Sequence, residues 1–579
     1  MKCQEREQSL TGTSDQHIEL NIPMKSDGSF YDLKGLYEDQ LTVVLLIMDK
    51  ILEWAMCEDL KLFKPLRLTI NGPAGTGKTV VINTIVTVIR ELFNENDVIQ
   101  VCAPTGTAAF NAGGETLHHF LKNRAGMKSY DPFSMSKKKK KELTFKLKNL
   151  LCLIIDERSL LDSNHLAIAE QMISETIFNG EMCDKSWGNL PVLILVGDDF
   201  QLPGVAPGAF DAFEAPKGNK TTDRGRFLFK ECADVVVSLT TSKRIQENQV
   251  ADKVLLQKLR TAQSLDDEEI DRLLNLHLDK VRQNHGQEAV DKIEQECIYL
   301  FYRNNPRIMK NLEMLIAKCS PTNPVAVCKT KSSGLHNGMA ITSHFKNSNI
   351  PTSALLSIGT KVALENKNFC PIWGLHNGAV GIVDEIIFEK DDTPNNGDLP
   401  SYVVVNFPQY IGPVWDQDNP TVSTEQTIFV KFHHSNISFI AMQHVPIPVA
   451  SYRCDKNCCT RNFVPLEVSY ARTIHKFQGL TAGPVDEGKI PNMYQCIVCD
   501  PDEKKFEGTS LGLFYTALSR GTTLGDDEGM DSAIYFIGSQ FREERIRGIT
   551  KLKNSDEDFV IAKKRKKWVQ VLKQREHLS

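Results

Sequence analysis

The segment NGPAGTGKT at residues 71–79 decides the fold of this chain. The apolar run Leu66–Ile70 precedes it, and apolar residues recur at helical spacing through Val80–Phe93. A strand, a glycine-rich loop and a helix in this order constitute a P-loop. Its glycines let backbone N–H groups turn inward on phosphates, and the helix N-terminus adds partial positive charge. The segment therefore predicts an α/β domain that binds a nucleoside triphosphate.

The residues of the loop have separate predicted roles. Lys78 reaches the β- and γ-phosphates of ATP, and the Thr79 hydroxyl is a ligand of Mg²⁺. The predicted ATP-binding residues of the loop are Gly72, Pro73, Ala74, Gly75, Thr76, Gly77, Lys78 and Thr79.

Two later apolar runs complete the predicted site. Residues 150–157 read LLCLIIDE and residues 191–203 read PVLILVGDDFQLP. Each run predicts a buried parallel strand, and α/β sheets bind ligands at the carboxyl ends of such strands. Asp156 is then a second magnesium ligand, Glu157 orients and deprotonates the attacking water, and Gln201 senses the γ-phosphate.

Composition predicts a soluble intracellular protein with no membrane partner. No stretch approaches the ~20 consecutive apolar residues of a membrane helix, and the polar N-terminus lacks the apolar core of a secretory signal. The net charge of -5 places any nucleic-acid contact in local patches. Lys137–Lys141 and Lys563–Lys567 are candidates, although each run also fits a solvated surface, and the second also fits a nuclear address.

Four further segments narrow the interpretation to a family. Residues 102–109 read CAPTGTAA, 116–120 read TLHHF, 471–481 read ARTIHKFQGLT, and 514–520 read FYTALSR. With the P-loop, the Asp-Glu pair and GDDFQLP, this set resembles the petite-integration-frequency helicases. These belong to superfamily 1B and are related to RecD. The resemblance covers about residues 36–523.

The chain departs from the family pattern at three places. Arg158 follows the Asp-Glu pair where the family has a hydrophobic residue. Lys243 and Ile245 flank Arg244 in place of Phe and Gln, and Phe477 replaces a Ser. None of these departures removes a catalytic group.

The resemblance implies further site residues. Gln40 reads the adenine edge, and Gln478 and Gly479 also bind ATP. Arg244 and Arg520 come from the second motor domain to the γ-phosphate as arginine fingers, so hydrolysis requires domain closure. The implied DNA-binding residues are Pro104, Thr105, Gly106, Thr116, His118, His475 and Lys476.

The resemblance also implies the domain organisation. Two RecA-like P-loop NTPase domains stand in tandem, at 36–238 and 239–549. A wedge insertion at 118–149 interrupts the first, and a β-barrel-like insertion at 366–463 interrupts the second. Polar residues 1–35 and basic residues 550–579 are expected to be tails.

The expected function is that of an ATP-dependent DNA helicase that translocates 5′ to 3′ on single-stranded DNA and unwinds duplexes or forks. ATP and Mg²⁺ are the implied cofactors, and the motor is expected to be monomeric. DNA repair, recombination and telomere maintenance are the implied roles, in the nucleus or mitochondrion of a eukaryote or otherwise in the cytoplasm. Two alternatives stay open: a mobile-element or viral superfamily 1 helicase, and an ATP-gated module that binds single strands without unwinding.

A cysteine cluster raises the question of zinc. Cys454, Cys458 and Cys459 provide one pair at zinc-ligand spacing, but no clear second pair accompanies them. The spacing favours thiols in a loop.

Overall fold

The computed structural model describes residues 33–123, 135–177, 185–204, 206–216, 218–242, 249–334, 350–388, 398–412, 444–454, 459–484, 494–501, 512–549 and 557–576. The α-helices are Glu38–Met56, Lys78–Phe93, Gly106–Asn111, Leu117–Phe120, Lys137–Leu147, Ser163–Ile177, Lys220–Cys232, Val250–Arg260, Asp267–Asn275, Leu278–His285, Gln287–Glu296, Asn304–Lys318, Ile474–Phe477, Leu513–Leu518, Glu543–Ile549 and Glu557–Gln574. Short 3₁₀ helices occupy Leu33–Gly35, Arg158–Leu160, Ser186–Asn189, Ala209–Asp211 and Pro371–Trp373.

The first sheet is parallel and six-stranded within the described residues. Its strands stand in the spatial order Glu115–Thr116, Ile99–Ala103, Cys152–Ile155, Val192–Gly197, Leu66–Asn71 and Val235–Ser238. The register sets Asn71 beside Gly197, so the P-loop and the loop that carries Gln201 leave the same edge. The three predicted strands are confirmed.

Helices cover both faces of this sheet, which explains why its strands are apolar throughout. On one face, Glu38–Met56 and Lys78–Phe93 pack their apolar sides against the strands. On the other face, Ser163–Ile177 and Lys220–Cys232 do the same, with residues of Glu557–Gln574 in the same hydrophobic cluster.

The second sheet is also parallel. Its strands stand in the order Ala471–Thr473, Cys297–Phe301, Cys496–Asp500 and Ile534–Phe536. Helices such as Val250–Arg260 and Leu513–Leu518 pack on it through their buried leucines and aromatic residues. The chain therefore contains two α/β units, as the predicted tandem arrangement requires.

An antiparallel region interrupts the second unit and is wider than the predicted 366–463. One sheet orders its strands as His444–Pro448, Tyr402–Asn406, Val380–Ile387, Lys361–Leu364 and Leu466–Val468. Smaller sheets pair Ser353–Leu356 with Ala326–Lys329, and Cys459–Phe463 with Ala450–Arg453 and Lys331–Gly334. The region extends from 326 to 468 because strands from both sides of the predicted insertion pair with it.

The lysine run at 137–141 begins a helix in the predicted wedge. Ser136 caps Lys137–Leu147, and its hydroxyl accepts from the Lys139 N–H at 3.4 Å. Leu143 and Leu147 are buried in the core of the first unit. The helix is therefore anchored to that unit, and its role as a wedge stays a prediction.

The prediction of a basic tail from residue 550 is wrong for residues 557–574. These residues form a helix whose Trp568 and Leu572 are buried in the core of the first unit. The sequence spacing of Ile561, Arg565, Trp568 and Leu572 is that of one helical face. The conspicuous positive charge of residues 563–567 obscured that pattern. In the described part of the chain, no helix is long and apolar enough to cross a membrane.

Candidate nucleotide site

A cleft of about 650 Å³ opens between the two α/β units. Its walls bring together most of the predicted ATP-site residues. The lining residues that the sequence predicted are Gln40, Ala74, Gly75, Thr76, Gly77, Lys78, Thr79, Asp156, Glu157, Gln201, Gly479 and Arg520. Arg244 lies outside the described residues.

The P-loop has a backbone that only glycine tolerates at its tightest point. Gly77 adopts φ 76°, in the left-handed region, and begins the helix Lys78–Phe93. A Cβ at Gly77 would lie 2.5 Å from Nε2 of Gln40. Nζ of Lys78 donates to the carbonyl oxygens of Gly72 at 2.8 Å and Pro73 at 3.0 Å. The loop thus folds as a cradle with an ammonium group held at its mouth.

The Gln40 side chain contacts the P-loop. Its Nε2 donates to the Thr76 carbonyl at 3.0 Å, and its Oε1 accepts from the Tyr37 N–H at 3.2 Å. The side chain is buried and lines the cleft. Both ends of the amide therefore contact the protein, and its role toward adenine stays a prediction.

Asp156 and Glu157 follow the strand Cys152–Ile155, as predicted. Burial, followed by the charge of Glu157, raises the pKa of Asp156 to about 7, against the opposing effect of Lys78. The desolvated carboxyl of Asp156 lines the same cleft as Thr79. A divalent cation held there would stabilise the ionised form of Asp156. Glu157 adopts φ 51°, a strained conformation for a residue with a side chain and one that concentrates at functional sites.

Gln201 connects the two units. Its buried side-chain oxygen accepts from Nε2 of Gln478 at 3.3 Å, and Gln478 also lies 3.4 Å from the Ser159 hydroxyl. Close by, Nδ2 of Asn111 donates to the Gly479 carbonyl at 2.7 Å. The Gln478–Gly479 pair therefore meets the first unit at two loops.

Arg520 is buried within the second unit and lines the cleft. Its Nη2 donates to the Ser519 hydroxyl at 3.3 Å. The helix Leu513–Leu518 ends just before it and directs it to the same cleft as Lys78.

Sequence reasoning missed a second interdomain connection, at Asp198. Arg260 pairs with its Oδ1 at 3.0 Å, and the Tyr515 hydroxyl donates to its Oδ2 at 2.9 Å. Burial alone would raise the pKa of Asp198, but the charges of Arg260 and Lys78 hold it below its usual value. Arg260 ends a helix 62 residues from Asp198, with no motif around it to single it out.

The predicted DNA-binding residues lie on short capped helices. Thr105 caps Gly106–Asn111 and Thr116 caps Leu117–Phe120, each through its side-chain oxygen. The bond from Asn111 to Gly479 joins the end of the helix Gly106–Asn111 to the loop after the helix Ile474–Phe477. These two predicted segments therefore stand at one interdomain surface.

The side chains of three of these residues already have protein partners. Nε2 of His118 lies 3.2 Å from Nε2 of His165, and burial lowers the pKa of His118 to about 4. Nζ of Lys476 donates to Glu365 at 2.7 Å, and the His475 ring packs 5.7 Å from that of Tyr302. Any DNA contact by Lys476 would compete with Glu365.

The cysteine cluster contains no described metal centre. Cys454 and Cys459 are buried, with the Cys454 N–H donating to the Cys459 carbonyl at 3.0 Å. Cys458 lies outside the described residues. Within the described ranges, no group of three or more His, Cys, Asp or Glu side chains could hold a metal ion.

Comparisons with known proteins show what this chain is similar to. The model of the PIF1-like helicase family matches residues 39–260. The ATP-dependent DNA helicase RRM3 of Saccharomyces cerevisiae is 33% identical over 181 residues, 31% of this chain and 23% of the relative. The ATP-dependent DNA helicase Pif1 of Campylobacter jejuni is 23% identical over 78% of this chain and 86% of that protein. These matches make the chain similar to the PIF1-like helicases.

Solved structures are similar to this chain in fold. The crystal structure of Pif1 helicase from Bacteroides in complex with ADP-AlF3 and single-stranded DNA superposes with a TM-score of 0.54 and 20% identity. The match covers 92% of this chain and 97% of that one, so the two α/β units have the tandem RecA-like fold. The match to RRM3 spans about a quarter of that yeast protein's length.

Proposed function

We propose that this chain hydrolyses ATP in the interdomain cleft and uses the cycle to move along single-stranded DNA and unwind duplexes. One observation carries the proposal. The P-loop, Glu157 and Gln201 of the first unit line the same cleft as Arg520 of the second. ATP bound to the P-loop of the first unit would therefore also be within reach of Arg520 of the second unit.

The chemistry follows from the residue types at this cleft. Lys78 would interact with the β- and γ-phosphates, and Thr79 with Asp156 would hold Mg²⁺, which neutralises phosphate charge when bound. Glu157 would orient the attacking water and accept its proton. Arg520 would stabilise charge on the transferring phosphoryl group, as an arginine finger does.

The interdomain bonds provide the coupling. Gln201 contacts Gln478, and Asp198 contacts Arg260 and Tyr515, so the loop that faces the γ-phosphate is attached to both units. A change at that phosphate would alter these bonds and the angle between the units. DNA lying across both units would then be gripped alternately.

DNA is the proposed substrate because the resemblance to the petite-integration-frequency helicases and the names of the relatives both indicate it. Backbone contacts would provide a sequence-tolerant grip. The 5′-to-3′ direction, the monomeric motor, and roles in DNA repair, recombination or telomere maintenance are part of the same proposal and rest on the family resemblance.

Strand displacement tests the proposal directly. Forked, 5′-tailed and 3′-tailed duplexes are incubated with the full chain, with and without ATP and Mg²⁺. We expect ATP-dependent separation of the forked and 5′-tailed duplexes only. Separation of the 3′-tailed duplex would contradict the direction, and ATP turnover without any separation would contradict unwinding and favour a binding module.

A further inference from the structure

The C-terminal helix Glu557–Gln574 returns the chain to the first unit after the second unit is complete. The last helix of the second unit is Glu543–Ile549, which packs against Asp267–Asn275. In the C-terminal helix, Arg565, Trp568 and Leu572 are buried, and they lie on one face because their spacing is three and four residues. This face covers the first sheet beside the loops that carry Glu157 and Gln201.

The attachment of this helix is extensive and polar as well as apolar. Trp568 packs 5.8 Å from the ring of Phe213 and 6.5 Å from that of Phe229. Nζ of Lys564 pairs with Asp211 at 2.6 Å, and Arg575 pairs with Asp234 at 3.2 Å. The helix is therefore a component of the first unit.

Arg565 contacts the loop of the γ-phosphate sensor. Its Nη2 donates to the backbone carbonyl of Gln201 at 3.2 Å. Its guanidinium lies over the rings of Phe200 at 5.9 Å and Phe210 at 5.2 Å. A buried charge is costly, and an apolar residue could fill the space beside two phenylalanine rings. The hydrogen bond to the Gln201 carbonyl is a contact that an apolar residue could not make.

Trp568 contacts the other catalytic loop through Arg158. The Arg158 side chain is fully buried, pairs with Asp199 at 2.7 Å and lies 5.8 Å from the Trp568 ring. Arg158 directly follows Glu157, and Asp199 stands two residues before Gln201. The helix thus reaches the neighbours of both catalytic residues, and the departure of Arg158 from the family pattern has a structural role.

We propose that the C-terminal helix positions the catalytic loops for ATP hydrolysis, with Arg565 and Trp568 as its positioning residues. Arg565 holds the backbone of Gln201, and Trp568 supports the Arg158–Asp199 pair that joins the Glu157 loop to the Gln201 loop. This inference rests on the proposed ATPase function. It gives Arg565, within the basic run at 563–567, a positioning role on the first unit rather than a place in a solvated tail.

The test uses full-length Arg565→Ala, Arg565→Lys and Trp568→Phe, with Lys566→Ala as the matched control because Lys566 is exposed on the same helix. The measurements are kcat and KM for ATP with single-stranded DNA, affinities for ADP and a non-hydrolysable ATP analogue, and the melting temperature. Loss of one hydrogen bond from a charged donor should lower the kcat of Arg565→Ala by about tenfold. We expect KM and ADP affinity to stay near those of the control, and Arg565→Lys to recover part of the kcat.

Two results would overturn the inference. One is a kcat of Arg565→Ala equal to that of Lys566→Ala in folded protein. The other is a loss of kcat that Arg565→Lys does not relieve and that accompanies equal losses in melting temperature and ADP affinity. An inactive wild type would contradict the proposed function as well, whereas an active wild type beside an equally active Arg565→Ala contradicts this inference alone.

Discussion

The two RecA-like units face the same cleft but contribute to it differently. Among the described residues, the first sheet has six strands and presents the P-loop, a carboxylate pair and an amide at one edge. The second sheet has four strands within the described ranges, and its unit presents Arg520 and Gly479 to the cleft. This difference fits the proposal that the first unit binds ATP, whereas hydrolysis requires both units.

The largest effect is expected from removing the ammonium group of Lys78 from the P-loop. Lys78→Ala should abolish ATP turnover and unwinding, because Lys78 stands at the mouth of the P-loop. Steady-state phosphate release and strand displacement measure the effect, with Lys64→Ala as an exposed control. Turnover near that of wild type in folded Lys78→Ala would contradict the assignment of the site.

Arg520→Ala tests the contribution of the second unit. ATP should bind with a modest loss, while hydrolysis falls by about 10³-fold or more, as removal of an arginine finger does. Stimulation by DNA should disappear, since it acts by closing the cleft and delivering this arginine. If stimulation survives at near wild-type magnitude, Arg520 is not the finger and Arg244 must carry the coupling alone.

Glu157→Gln separates binding from chemistry within the first unit. The amide keeps the shape and removes the base, so hydrolysis should fall by about 10²-fold or more while ATP and Mg²⁺ still bind. Fluorescent-nucleotide titration and phosphate release distinguish the two steps. A variant that no longer binds ATP would show that Glu157 is structural.

Arg260→Ala tests whether the ion pair between Arg260 and Asp198 couples the two units. The change leaves the buried Asp198 with its Tyr515, Gln201 and backbone partners, and it removes a contact between the units. DNA-stimulated turnover should fall by about tenfold or more, because Arg260 donates two charged hydrogen bonds to Asp198. Arg282→Ala, at an exposed arginine of the same unit, is the control.

Asp198→Asn in the Arg260→Ala background should recover part of that loss, because it removes the unpaired charge. Equal turnover of Arg260→Ala and wild type would show that this ion pair does not couple the units.

Much of the first unit follows from local sequence. The strands before residues 71, 156 and 198 and the helix after Gly77 lie where the apolar patterns predicted them. Each depends on residues adjacent in the chain, whose spacing encodes the strand or helix directly. Most predicted ATP-site residues also line one cleft, although their catalytic roles stay predictions.

Local sequence predicts the second unit less completely, because its strands come from distant segments of the chain. The antiparallel region draws strands from 326 to 468, and its bounds depend on which strands pair. No local pattern indicates that Lys331–Gly334 pairs with Cys459–Phe463.

By itself, the sequence determined that this chain has a P-loop with an Asp-Glu pair and an amide after neighbouring strands, since each is a short pattern with its own local geometry. Only the tertiary structure decided that Arg260 holds Asp198 and that Arg565 holds Gln201, 364 residues away. The physical reason is that such contacts form where packed surfaces meet. Sequence alone does not distinguish a buried arginine from a solvated one, because burial depends on which surface the helix packs against.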